Sequence, residues 1–182
     1  MSDTLTNELT QVAVDLALDV EDYLATVEAV AGGAAGDETV SLLLLNLARI
    51  VSAGAQLGAT ADVVLPDSAE PPLPPEPEVD LVRQALASVL EGIDAYTEVF
   101  DPYVEDEPLA CRLSDDLADI AADLLHGLRH YRAGRPFEAL WWWQYSYLNH
   151  WGTHAGAALR ALHSVVAHVR LDSLEGATDA PS

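Results

Sequence analysis

The chain has 182 residues, half of them hydrophobic, with 30 Asp plus Glu against 8 basic residues and a formal charge of −22. That length suits one domain with a real core. The charge argues against nucleic-acid phosphate and anionic membrane as partners and favours cations and basic proteins.

All eight basic residues are arginine, and Cys111 is the only cysteine, so no internal disulfide can form. Residues 1–15 lack a basic start followed by an apolar stretch, so no signal peptide is expected. The longest apolar run, Val40–Leu45 with one Ser inside, falls well short of the ~20 residues that span a bilayer. The expectation is a soluble cytoplasmic protein.

Thr4 to about Val30 predicts a long helix, with Leu5, Leu9, Val12, Leu16, Tyr23, Val27 and Val30 recurring at helical steps. Gly32-Gly33 ends it, and Asp37 is placed to cap a second helix over about Glu38–Gln56. Asp62–Glu78 holds six prolines and no helical period. It reads as an acidic, extended linker between helices two and three. Its Pro71-Pro72-Leu73-Pro74-Pro75 segment is either a stiff spacer or a ligand for a proline-recognising groove.

Leu81, Ala85, Val89, Ile93 and Tyr96 predict a third helix over about Val79–Val99, broken at Phe100-Asp101-Pro102-Tyr103. Ser114 caps a fourth helix, which ends near Arg132-Ala133-Gly134. Pro136 opens a fifth, running to about Arg170, in which Gly152 and Gly156 either bend the helix or admit a neighbour. Residues 171–182 are expected to be a disordered tail. No strand alternation is visible. The fold class is all-α: an up-and-down bundle of about five helices, in one domain over 1–170.

All six histidines and all four tryptophans lie in Ser114–Arg170. Asp116, Asp119, Asp123, His126 and His130 share one stripe of helix four, roughly 120–130° from its apolar direction. The bland reading is a solvated flank of the bundle. His150 and His154 are an i, i+4 pair on helix five, a spacing that two metal-binding imidazoles can use. If helices four and five fold back across Arg132–Arg135, residues whose numbers sum to about 267 lie level, which brings His150 and His154 within about a turn of Asp116 and Asp119. The layer can be a set of structural charge pairs, a proton-transfer dyad, or a Zn²⁺ or Fe²⁺ site of His150, His154, Asp116 and Asp119.

No catalytic signature accompanies this layer. An E-x-x-H pair of the di-iron kind is missing, no serine sits in a nucleophile elbow, and the acidic loop around Cys111 works against a thiolate. Three consecutive tryptophans, Trp141–Trp143, cover most of the helix circumference, so one must point away from the core. Trp142 is that one and, with Arg132 and Arg135, makes a candidate partner contact; the alternatives are a covered tryptophan and arginines that neutralise a helix C-terminus.

Several separated motifs fall in a familiar order: Val99-Phe100-Asp101-Pro102, Asp106-Glu107-Pro108, Asp115-Asp116-Leu117-Ala118-Asp119-Ile120, Glu138-Ala139-Leu140-Trp141 and His150-Trp151-Gly152-Thr153-His154 through to His163. Over roughly Val79–Arg170 the chain resembles an uncharacterised bacterial family, domain of unknown function 5063. The resemblance implies an all-helical protein and carries no catalytic residues with it. The leading expectation is a non-catalytic interaction or regulatory bundle with a protein partner or a second copy of itself. The rival is a metal-binding bundle or metalloenzyme at the Asp/His layer.

Overall fold

In a computed structural model, residues 3–59, 62–65, 78–99, 103 and 107–178 are described. Helix α4, Leu113–Arg132, is the element around which the others gather. Leu113, Leu117, Ile120, Leu124 and Leu128 recur on one stripe of it and are fully buried. α1 (Asp3–Ala31), α3 (Asp80–Val89), α5 (Pro136–Ser146) and α6 (Gly152–Thr178) all pack on α4. α2 (Thr39–Ala59) closes the far side against α1 and α6. By length and composition alone, Gly36–Ala59 would suffice to cross a bilayer. Here its Leu43, Leu47, Ile50 and Leu57 are buried in the bundle core, while Leu42 and Leu45 on its other faces are exposed.

Two large indoles set the close approaches. Trp143 and Trp151 are fully buried, and each donates its ring N–H to a backbone carbonyl: Trp143 Nε1 to Leu124 O at 3.0 Å and Trp151 Nε1 to Trp143 O at 3.2 Å. Gly127 lies under Trp143 and Gly54 under Trp151 and Tyr147; a Cβ on either glycine would fall within about 2.3 Å of a ring atom.

The structure departs from the sequence expectations in several places. Helix three stops at Val89, not Val99. Gly92 turns the chain with φ +96°, and Ala95–Glu98 then forms strand β1, paired antiparallel with β2, Leu109–Arg112. The fold is therefore mostly helical with one small hairpin. Second, the long C-terminal helix is interrupted. Tyr147–Trp151 is a π-helical turn, with Gly152 N–H bonded to Tyr147 O. A Cβ on Gly152 would sit 2.4 Å from Tyr147 O, so the wider turn itself requires glycine. Third, α6 continues to Thr178, past the expected end near Arg170. The proline-rich segment Pro71–Pro75 lies outside the described residues.

α4 is capped from a distance. The expected cap, Ser114, is already inside the helix. The buried Asp94 carboxylate, just before β1, accepts Ser114 N–H at 2.8 Å and the Ser114 hydroxyl at 3.1 Å, which places an anion at the helix N-terminus.

Candidate functional site

Folding α5–α6 back on α4 brings the predicted aspartates and histidines together, as two separate pairs. The two helices run level about where the Arg132–Arg135 connection dictates, since Trp143 reaches Leu124. His154 Nδ1 lies 2.7 Å from Asp116 Oδ1, and His150 Nδ1 lies 2.8 Å from Asp123 Oδ2. An ionised carboxylate can only accept, so each imidazole donates from Nδ1. The two rings stand edge to face with centroids 4.7 Å apart.

Asp116 is the centre of this arrangement. It is only 3% exposed, against the reading of its stripe as a solvated flank. Its Oδ2 accepts the Tyr96 hydroxyl at 2.6 Å, so one carboxylate ties β1, α4 and α6 together. Donation of its Nδ1–H to Asp116 holds the His154 pKa above the ordinary histidine value, outweighing burial. Burial, and then Asp116, push the Tyr96 hydroxyl well above the phenol range. Burial likewise raises the Cys111 thiol, with Asp116 and Glu98 adding to it, so Cys111 is a poor nucleophile as the sequence suggested. Asp123 is also raised, because burial outweighs its bond to His150.

Asp119 does not join this layer. Its Oδ1 takes Arg83 Nη2 at 2.8 Å, and the same guanidinium reaches Asp115 at 3.1 Å, which locks α3 onto α4. Among the described residues no group of three or more His, Cys, Asp or Glu side chains comes together to hold a metal ion. Asp116, Asp119, His150 and His154 are thus spread over three contacts rather than gathered on one point.

The candidate partner residues each have contacts within the chain. Trp142 is half-buried, not exposed: His126, His130, Trp141 and Tyr145 pack around its ring, with His130 stacked at 6.2 Å. Burial of His130, whose Nδ1 meets Glu138 at 2.8 Å, draws this side of α4 under α5. Arg132 pairs with Glu21 and Arg135 with Glu138, and both arginines stay partly exposed.

Besides Arg83, Asp94 and Tyr96, two more structural residues were not foreseen from the sequence. Gln144 is buried, donates to Leu57 O at 2.9 Å and accepts Val63 N–H at 2.8 Å, so one amide closes the end of α2 and pins the residues after it. Buried Glu98 forms an ion pair with Arg160 of α6. A lone glutamine inside an apolar run was the available signal for the first; only the unforeseen hairpin could have revealed the second.

A family profile covers residues 7–168. The chain belongs to the family described as domain of unknown function 5063. No curated protein matches it. Among solved structures it is similar to the crystal structure of protein BF1032 from Bacteroides fragilis, with a TM-score of 0.66 and 20% identity over 84% of this chain and 90% of that one. At that identity the likeness speaks for the fold of this family member.

Proposed function

We propose that this member of the family is a non-catalytic interaction protein that recognises a basic protein partner. The observation that carries this reading is the fate of its cations. Among the described residues at least six of the eight arginines, Arg49, Arg83, Arg112, Arg132, Arg135 and Arg160, are held in ion pairs within the chain. The outer surface therefore presents carboxylates with few cations to oppose them. Glu8, Glu28, Asp37, Glu38, Glu78 and Glu91 are all exposed. Such a field steers a basic partner on encounter and repels anions.

The pairing at the Asp/His layer supports the same reading. Each titratable side chain there already has a protein partner that fastens one element to another, which is what a scaffold needs. For Zn²⁺ or Fe²⁺ to bind instead, Asp119 would have to leave Arg83 and the two imidazoles would need a third ligand, so the metal reading ranks second. Affinity capture with the full chain, followed by mass spectrometry, tests the proposal. The expected result is a defined protein with an excess of Lys and Arg, released by high salt. Turnover of a small molecule by the isolated chain, with no such partner, would overturn it.

A further inference from the structure

One cleft combines this charge with apolar surface. It has a volume of about 430 Å³ and lies among α1, α3 and α4. Its floor is Leu24, Val27, Val82 and Leu125, with Val79 and Ala121 between them. Val27 belongs to the core, while Leu24, Val82 and Leu125 are only half-buried and offer apolar surface to a visitor. Glu21 and Glu28, two turns apart on α1, also line it, as does Glu78, two residues before α3. Glu21 is neutralised by Arg132 at 2.8 Å. Among the described residues Glu28 and Glu78 are exposed and in no ion pair.

We propose, resting on the interaction reading above, that this cleft receives a basic segment of the protein partner. An apolar side chain of that segment seats on Leu24 and Leu125, and flanking Lys or Arg side chains pair with Glu28 and Glu78. Charge complementarity selects this occupant: an anionic or purely apolar ligand would leave two carboxylates facing it uncompensated, and a bare polyamine would leave the floor uncovered. The apolar floor supplies burial, while the glutamates fix register and reject acidic sequences.

The test uses the full chain and a synthetic helical peptide of leucine and lysine, followed by fluorescence anisotropy at low salt. E28Q combined with E78Q removes two charges at the cleft; E8Q combined with E91Q removes two exposed charges elsewhere. All four side chains are exposed, so both variants keep the fold. The cleft variant is expected to weaken binding about fivefold or more and the control less than about twofold. L125S is expected to weaken the peptide while leaving spermine binding unchanged, since a polyamine has no side chain to seat on the floor. Equal loss in the two double variants, or an unaffected L125S, would overturn the cleft while leaving the broader interaction reading standing. That reading falls separately if affinity capture yields no basic partner.

Discussion

Replacing Asp116 by Asn tests whether the Asp/His layer is a structural clamp. The substitution keeps the shape of the side chain and removes its charge. Wild-type Asp116 is buried and accepts from Tyr96 at 2.6 Å and His154 at 2.7 Å. A hydrogen bond to a charged group contributes about 1.5–3 kcal/mol net, and Asn retains an acceptor for one of the two partners, so Asp116→Asn is expected to cost about 2–3 kcal/mol. For a chain of this size that lowers the melting temperature by about 4–12 °C. The pH dependence gives a second readout. Because Asp116 raises the His154 pKa in the folded state, the pair's contribution is fully present below the unfolded value of 6.5 and is lost as pH rises through the raised folded value. Wild-type stability should therefore fall above pH 6.5, and Asp116→Asn should flatten that fall. The assay is thermal unfolding followed by circular dichroism across pH, with the His154 ring titrated by NMR. A loss below about 0.5 kcal/mol, the size of an ordinary surface substitution, or an unchanged His154 titration, would show that Asp116 is no clamp.

Gly127→Ala should be among the most damaging small substitutions, because its Cβ would lie 2.2 Å from Trp143 Nε1; overpacking costs about 1–3 kcal/mol and outweighs the gain of about 1 kcal/mol in helix propensity, as denaturant unfolding will show. Gln144→Ala removes two buried bonds, to Leu57 and Val63, and should cost about 1–3 kcal/mol in the same assay. His150→Ala should cost less than about 1 kcal/mol, since that imidazole is half exposed at 50% and its pair with Asp123 is screened, whereas His154→Ala should cost more. Adding Zn²⁺ or Fe²⁺ to untagged protein should leave the melting temperature unchanged; a rise that follows metal concentration would instead favour the metal reading.

Much of the bundle was legible because its signals are local. The apolar steps of α1 and α4 and the short Arg132–Arg135 connection fix two long helices and the level at which α4 meets α5. From that level the carboxylate–imidazole pairing follows to within a turn or two. What was hidden depends on contacts remote in sequence. Asp119 could not be assigned to Arg83 without knowing that α3 packs on α4. The hairpin was missed because Ala95–Glu98 is too short for alternation to show, and because its partner strand lies beyond an acidic loop. The helical steps read through it were misleading, since Leu81 is 81% exposed while Leu86 and Leu90 fill the core. Gly92 and the run Tyr96-Thr97 were the available signs of a turn followed by a strand. The π turn changes the helical phase without any composition cue other than Gly152.

Electrostatic recognition of a basic protein is the property on which the proposed function stands. It is tested most directly by measuring the dissociation constant of the complex with its captured partner as salt is raised from about 0.05 M to about 0.3 M, a range over which the screening length falls well below the span of the acidic surface. Binding is expected to weaken at least tenfold, by a change in association rate above all. Affinity that does not respond to salt would contradict it.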